Sequence, residues 1–285
     1  MPNEILTPTN IAGLEITRAK QRSPYLNMLI YAEAGTGKTV LAGSASVVPQ
    51  MSPVLICDVE GGSESLKHMY PDVHVVRTKT FKSLNDVYNE LATGHHPYKT
   101  VVIDSGTEVQ RFSMGDIMDE LVTRRPDLDP DIPSKREYGK NLNQMRRFMT
   151  HFRDLDMHTI VTALVNEKQE DSGAVKVGPK FTGQFAGEAP AIFDVVMYYY
   201  IKEITNEKNE RETARILLTQ KMEKYIAKNR TSPKLPLFVE NPDMKMLYEL
   251  MTSGTDDPTL KAPDADAPVI TKEQVMNADP AEILT

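Results

Sequence analysis

The sequence contains a single cysteine, Cys57, among 285 residues, and it has no long run of apolar residues. One cysteine excludes an intrachain disulfide framework, so we expect a reducing cytoplasmic setting. No apolar run is long enough to cross a bilayer, and we therefore expect no membrane partner. The amino-terminal residues show no basic region followed by an apolar one, which predicts that no secretory signal is present.

The chain also lacks a histidine metal-binding pattern and an excess of positive charge. Its six histidines show no spacing typical of a metal site. The net charge is −7, so a nucleic-acid-binding role requires a local basic surface. Cys57 lies within an apolar stretch, where a buried thiol is expected rather than a nucleophile.

Composition divides the chain into three predicted parts. Residues 1–24 form an N-terminal extension, residues 25–251 an α/β core, and residues 252–285 an acidic tail. The tail carries seven acidic and two basic residues, which is typical of a disordered, solvated segment. A protein partner for this tail is the open alternative.

The most informative stretch is a strand–loop–helix pattern near the start of the core. Residues 28–31 are an apolar run typical of a buried strand. Residues 32–39 then fit the phosphate-binding loop, with Ala32 where the pattern usually opens with glycine. The loop predicts a nucleotide site, and its expected ligands are ATP and Mg²⁺.

Each residue type in this loop has a predicted role. Glycines allow the main chain to curl so that successive N–H groups point at phosphate oxygens. Lys38 is expected to reach the β- and γ-phosphates, and the Thr39 hydroxyl to bind Mg²⁺. The predicted nucleotide-binding residues are Ala34, Gly35, Thr36, Gly37, Lys38, Thr39 and Val40.

A second buried strand, residues 100–104, ends in Asp104, the position at which P-loop ATPases hold Mg²⁺. Two glutamates compete for the role of orienting the attacking water. Glu60 follows the strand of residues 53–58, and Glu108 lies four residues beyond Asp104. We favour Glu60, although an acid at the start of a helix is also stabilised by the helix dipole.

Short apolar strands alternate with helical segments along the core. This order predicts an α/β fold with a mostly parallel central sheet flanked by helices. Residues 191–201 and 214–219 are predicted as antiparallel strands near the C-terminal edge. The strand of residues 158–165 ends in Asn166 and Glu167, which either sense the γ-phosphate or cap the sheet. Residues 168–188 are predicted as a long loop.

Together these motifs resemble the RecA-like recombinase core, and more narrowly the phage-encoded, core-only RecA-like ATPases linked to single-strand annealing. Residues 32–39 are similar to the Walker A loop, and residues 101–105 to the Walker B strand. The Asp58-Val59-Glu60 triplet resembles the acidic motif whose glutamate activates water in that family. The resemblance implies a RecA-like P-loop fold, DNA-stimulated ATP hydrolysis, a homo-oligomer, and Asn166 and Glu167 as sensor residues beside Lys38 and Glu60.

The resemblance also implies two DNA-contacting loops, at residues 124–138 and 168–188 by their order along the chain. It implies that Lys228 and Arg230 lie near a neighbouring subunit's nucleotide, since residues 228–230 are similar to a Lys-Asn-Arg motif of the bacterial RadA branch. Single-stranded DNA is the implied partner. The implied DNA-binding residues are Arg124, Arg125, Lys135, Arg136, Lys168, Lys176 and Lys180.

Two other functions share the same phosphate loop. A P-loop ATPase that acts on a protein partner as a motor, loader or switch is favoured by the net negative charge and the acidic tail. A small-molecule kinase is the third possibility, but no arginine-rich lid follows the predicted sheet.

Overall fold

The structure is a computed structural model. The described residues are 10–12, 14–15, 25–169, 173–205, 211–222 and 224–252. Most of the predicted N-terminal extension and nearly all of the predicted acidic tail therefore lie outside the described residues.

The described residues form twelve strands and six α-helices. The strands are β1 (Asn10–Ile11), β2 (Leu14–Glu15), β3 (Asn27–Ala32), β4 (Val54–Asp58), β5 (His74–Arg77), β6 (Thr100–Asp104), β7 (His158–Gln169), β8 (Val175–Pro179), β9 (Val195–Thr205), β10 (Arg211–Leu218), β11 (Lys228–Asn229) and β12 (Phe238–Glu240). The helices are α1 (Lys38–Gly43), α2 (Phe81–Ala92), α3 (Gly106–Arg124), α4 (Lys135–Arg153), α5 (Phe185–Ile192) and α6 (Met244–Thr252). Short 3-10 helices follow α1 (Ser44–Val47) and β4 (Gly62–Leu66).

The main sheet has the order β12-β10-β9-β3-β7-β6-β4-β5. The six strands from β9 to β5 are parallel to one another, whereas β10 and β12 are antiparallel and form one edge. This confirms the predicted P-loop α/β fold with antiparallel strands at the C-terminal edge. The carboxyl ends of β3, β4, β6 and β7 meet at one edge of the parallel sheet, where α/β proteins bind ligands.

The sheet is covered on both faces, because side chains of a strand point alternately to opposite sides. Leu29 and Tyr31 of β3 belong to a core shared with α2, α3, α4 and α5. Met28 and Ile30 point to the other face, where α1 and α6 pack. All six residues of β3 are buried, which holds the loop that follows this strand on a rigid base.

Two predicted loops contain regular structure. β7 continues beyond Val165 to Gln169 and pairs with β8, so the prediction that it ends at Asn166 and Glu167 is wrong. Its last four residues are exposed. An exposed strand lacks the apolar run from which a buried strand is predicted. The sequence predicts a loop where β8 lies because Gly178 and Pro179 are both unfavourable within a strand.

The other predicted DNA loop, residues 124–138, is also shorter than expected. Arg124 is the last residue of α3, and α4 begins at Lys135 with a capping box on Ser134. The amino cap of α2 is Thr80. The Thr80 hydroxyl oxygen accepts a hydrogen bond from the Ser83 N–H at 3.1 Å. Within the part of the chain that the structure describes, no helix is both long and apolar enough to span a membrane.

Candidate nucleotide-binding site

The loop between β3 and α1 has the backbone that its glycines predict. Gly35 and Gly37 have φ angles of +78° and +104°, a left-handed region that favours glycine. Ala32 is the last residue of β3 and is fully buried, so the position where the motif usually has glycine needs no special conformation here. The curl of residues 33–37 leads directly into α1 at Lys38.

Lys38 is buried inside this curl. Its Nζ donates hydrogen bonds to the carbonyl oxygens of Glu33 at 2.9 Å and Ala32 at 3.3 Å. Burial lowers the pKa of the Lys38 ammonium, while the nearby carboxylates of Glu60 and Asp104 act in the opposite direction. The ammonium thus lies between the loop and two acids, where it can contact an anion held by the loop.

Asp104 faces the start of α1, as the sequence predicts. The Thr39 hydroxyl donates a hydrogen bond to Asp104 Oδ2 at 2.5 Å. The Thr162 hydroxyl of β7 donates to Asp104 Oδ1. Both carboxylate oxygens are therefore oriented by hydroxyl groups, and the two side chains expected to hold Mg²⁺ are adjacent.

The residues around Thr39 and Asp104 fit a magnesium ion. Hydroxyl and carboxylate oxygens are suitable ligands, and Mg²⁺ usually takes only one or two carboxylates and completes its shell with phosphate and water. Gly62 leaves space beside them, because a Cβ at this position would lie 3.2 Å from Thr39 Oγ1 and 3.6 Å from Asp104 Oδ2. Among the described residues no group of three or more histidine, cysteine, aspartate or glutamate side chains forms a separate metal site.

Glu60 lies at the mouth of the same site. The Ser105 hydroxyl, next to Asp104, donates a hydrogen bond to Glu60 Oε1. Partial burial of the carboxyl group is the largest cause of a raised pKa for Glu60, and the charge of Asp104 adds to it. The Ser105 hydrogen bond and the Lys38 charge oppose this increase in pKa.

Hydrogen bonds hold the segment that carries Glu60 against β6. The N–H groups of Val59 and Glu60 donate to the carbonyl oxygen of Asp104 at 2.8 and 3.3 Å. Asp58 Oδ1 accepts from the N–H groups of Gly61 and Gly62 at 2.6 and 3.1 Å. These bonds place Glu60 beside Asp104.

The competing Glu108 is near enough for its charge to raise the pKa of Glu60, but its carboxylate has a different partner. It lies in the first turn of α3 and forms an ion pair with Arg111 at 2.7 Å. Glu60, in contrast, is bonded to the residue that follows Asp104. The geometry therefore favours Glu60 for orienting water, as predicted, and the role itself stays a prediction.

Three residues support the site through contacts that could not be predicted from the sequence alone. Thr162 lies mid-strand in β7, and nothing in its neighbours marks it as a partner of Asp104. Ser105 trails the Walker B strand, but its contact with Glu60 depends on how β4 and β6 pair. Asp58 precedes Val59, Glu60 and two glycines, a pattern in which a side chain can bond its own following backbone.

The predicted sensor residues lie on an exposed part of β7. Asn166 pairs with Gly178 and Glu167 with Val177 in the β7–β8 hairpin. Both side chains are exposed, and within the described residues no hydrogen bond or ion pair joins either of them to Lys38, Thr39 or Asp104. Their sensing role stays a prediction.

Lys228 and Arg230 lie at the opposite end of the parallel strands from the phosphate loop. Lys228 of β11 pairs with Val196, near the start of β9. Its Nζ donates to the carbonyl oxygens of Pro190 at 2.8 Å and Ala191 at 3.4 Å, near the end of α5. Neither residue is thus placed at the nucleotide of its own chain, and their action on a neighbour's nucleotide stays a prediction.

Basic side chains from two distant parts of the sequence meet in a groove of about 700 Å³, which we term the lysine groove. The segment that follows β10 is held along β8, since the Val177 N–H donates to the carbonyl oxygen of Lys224 at 2.6 Å. The residues that line the groove include four lysines and no acid among those described. The charged and polar residues that line it are Asn166, Lys168, Lys176, Gln184, Lys221, Lys224 and Tyr225.

The other implied DNA-binding residues are outside this groove. Arg124 pairs with Glu120 at 2.6 Å and Arg125 with Asp127 at 3.4 Å, so acids already neutralise both. Lys135 and Arg136 are exposed in the first turn of α4. Lys180 is exposed after β8, and its carbonyl oxygen accepts a hydrogen bond from the Thr107 hydroxyl at 3.1 Å.

The parallel sheet, the glycine curl with its buried Lys38, and the paired Thr39 and Asp104 define a P-loop nucleotide-binding protein. The family model described as an AAA domain matches residues 25–231, more than two thirds of the chain. The chain belongs to this AAA-domain family, and it is a P-loop ATPase by class. No curated protein matches the sequence significantly.

Several solved structures show a distant likeness to the chain. The Legionella pneumophila ATPase DotB is 9% identical, with a TM-score of 0.31 over 70% of this chain and 47% of that one. An ATPase from the type III secretion system of pathogenic bacteria is 15% identical, with a TM-score of 0.38 over 61% and 51%. EscN of enteropathogenic E. coli is 16% identical, with a TM-score of 0.39 over 62% and 43%. The chain spans about half the length of these proteins, and likenesses this weak do not bear on its function.

Proposed function

We propose that this protein hydrolyses ATP and couples the hydrolysis to single-stranded DNA, as in the RecA-like ATPases of phage recombination and annealing that its motifs resemble. The observation that carries the ATPase part is the contact between Thr39 and Asp104 at 2.5 Å, with Lys38 and Glu60 beside it. The observation that supports the DNA part is the lysine groove.

In the proposed reaction, the main-chain N–H groups of residues 35–39 bind the phosphates, and Lys38 neutralises their charge. Thr39 and Asp104 would hold Mg²⁺, which when bound withdraws charge from phosphate oxygens. Glu60, held by Ser105, orients a water molecule and accepts its proton as the water oxygen bonds to the γ-phosphorus and ADP leaves. The raised pKa of Glu60 brings its carboxylate closer to the basicity that proton transfer requires.

The lysine groove offers what a single strand of nucleic acid requires without regard to its sequence. Lys168 and Lys176 are directly opposite each other in the β7–β8 register, and like charges at such positions repel. A polyanion in the groove would be attracted by both lysines. Tyr225 lines the same groove, but its ring is buried, stacks on Tyr198 at 5.0 Å and has the Lys224 ammonium 5.1 Å from its centroid. The groove therefore supplies positive charge for phosphates rather than an open ring for base stacking.

The proposal is tested by steady-state ATP hydrolysis at low salt, with and without single-stranded DNA. We expect DNA to raise the rate of the wild-type protein, and the Lys221→Ala/Lys224→Ala protein to lose most of this increase when the DNA concentration is close to the wild-type Kd. Lys245→Ala, an exposed lysine on α6, is the matched control and should keep it. Absence of hydrolysis would overturn the ATPase part.

A second candidate is an ATPase that acts on a protein partner, and the net charge of −7 favours it. The same experiment separates the two. Hydrolysis that single-stranded DNA does not change, together with no DNA binding at low salt, would exclude the DNA role and favour a protein partner. Oligomerisation with Lys228 or Arg230 near a neighbour's nucleotide belongs to the first proposal, and light scattering with an ATP analogue would test it.

A further inference from the structure

We infer that Arg215 is a positioning residue for the phosphate loop, supplied by the antiparallel edge of the same chain. Arg215 lies on β10, and its Nε donates a hydrogen bond to the carbonyl oxygen of Thr36 at 3.2 Å. The phosphate-loop motif predicts no contribution from Arg215, which lies 179 positions after Thr36 in the chain. The inference rests on the proposed binding of ATP and extends that site to a further element.

The contact acts on a peptide group that a nucleotide would use. The Thr36 carbonyl and the Gly37 N–H belong to one planar trans peptide unit, in which they point in opposite directions. A hydrogen bond that holds the carbonyl towards Arg215 therefore fixes the opposite direction for the Gly37 N–H. In the phosphate-binding loop these N–H groups face the phosphates.

Gly37 needs such a restraint, because glycine has little conformational preference of its own. Its φ angle is +104°, and no side chain fixes it. The guanidinium packs directly against it, since a Cβ at Gly37 would lie 3.5 Å from Arg215 Nε and 4.0 Å from the Tyr199 hydroxyl. Arg215 and Tyr199 thus restrict the backbone conformations that are available to Gly37.

The backbone of Arg215 is itself held on both sides. β10 pairs with β9 at Ile201. On the other side, the Arg215 N–H donates to Asn241 Oδ1 at 3.0 Å, and its carbonyl oxygen accepts from the Asn241 N–H at 2.6 Å. Asn241 has a φ of +43°, which asparagine tolerates better than most residues. The antiparallel edge therefore presents Arg215 from a fixed position.

Cations bind three carbonyl groups of the loop. Lys38 binds those of Ala32 and Glu33, and Arg215 binds that of Thr36. Charge-assisted hydrogen bonds are stronger than neutral ones and polarise the peptide groups that they contact. Arg215 should therefore strengthen binding of both nucleoside triphosphates and diphosphates, since the β-phosphate is common to the two.

The test is calorimetric titration of the full chain with ATP and with ADP in the presence of Mg²⁺. For Arg215→Ala we expect Kd to rise about five- to tenfold for both nucleotides, with the binding stoichiometry unchanged. Arg215→Lys keeps the charge and should recover part of this loss. Thr213→Ala, an exposed position two residues away on β10, is the matched control and should bind like the wild type.

The outcomes separate this inference from the proposed function. If the wild-type protein binds neither nucleotide, the proposed function fails. If the wild type binds and Arg215→Ala changes Kd by less than about twofold, the inference about Arg215 is overturned while the function stands. A fall in stoichiometry at unchanged Kd would show that Arg215 only stabilises the fold, which also overturns it.

Discussion

The nucleotide site and the lysine groove are built in different ways. In the nucleotide site each charged side chain has a close partner: Lys38 bonds loop carbonyls, Thr39 bonds Asp104, and Ser105 bonds Glu60. The lysine groove collects four like charges from the β7–β8 hairpin and the segment after β10. The first arrangement suits one ligand of fixed geometry, whereas the second suits a polyanion whose exact position matters little.

This difference predicts how each region responds to mutation. Loss of one group in the nucleotide site should be severe, because each group acts on a single phosphate or water. Loss of one lysine in the groove should be mild and additive, because each contributes a similar electrostatic attraction.

The largest effect is expected for Lys38→Ala. Removal of a buried cation from beside the phosphates should lower the rate of ATP hydrolysis at least about 100-fold. Steady-state phosphate release measures it, with Lys67→Ala, an exposed lysine, as the control. Hydrolysis near the wild-type rate would mean that the loop does not bind the nucleotide as proposed.

The next effect concerns Glu60→Gln. This isosteric change removes the base, so we expect hydrolysis to fall about 10²- to 10⁴-fold while ATP remains bound. Single-turnover hydrolysis and nucleotide titration measure the two quantities. Glu108→Gln is the matched control, since Glu108 pairs with Arg111 and should be dispensable. If Glu60→Gln turns over fully, the role passes to Glu108.

A smaller effect is expected in the groove. Lys221→Ala/Lys224→Ala should weaken binding of single-stranded DNA about tenfold at low salt, and reduce the slope of log K against log salt by about 0.7 for each lysine. Fluorescence anisotropy across a salt series measures both. An unchanged slope would show that these two lysines contact no phosphate.

The smallest expected effect is on the pH dependence of ATP hydrolysis. Glu60 accepts a proton only when ionised, and burial raises its pKa. Activity should therefore fall as the pH decreases, with a midpoint above the ordinary glutamate value of about 4.3. The pH profile of kcat for wild type measures it, provided that the fold is intact over the same range by circular dichroism. A midpoint at or below the ordinary value would contradict Glu60 as a partly buried base.

The nucleotide site was largely predictable because its chemistry depends on local sequence. Gly35 and Gly37 predict a curled backbone, and Asp104 ends an apolar strand. The phosphate loop and its facing acid could therefore each be predicted without knowledge of the contact between them. The α/β order of the core followed from the same apolar runs.

The groove was predictable only in part, because its members meet through tertiary pairing. Lys168 and Lys176 were expected to contact DNA from a loop, yet they lie on paired strands. Lys221 and Lys224 lie near them because the segment after β10 runs beside Val177. No local sequence pattern predicts this packing. The same holds for Arg215, whose contact with Thr36 depends on the β9–β10 pairing.

The central claim is that the phosphate loop and Asp104 together hold a magnesium triphosphate. Titration of the full chain with a non-hydrolysable ATP analogue, with and without Mg²⁺, in wild type and in Asp104→Asn, tests it most directly. We predict that Mg²⁺ strengthens binding to the wild-type protein and that Asp104→Asn removes most of this increment. An increment that survives in Asp104→Asn would contradict the claim.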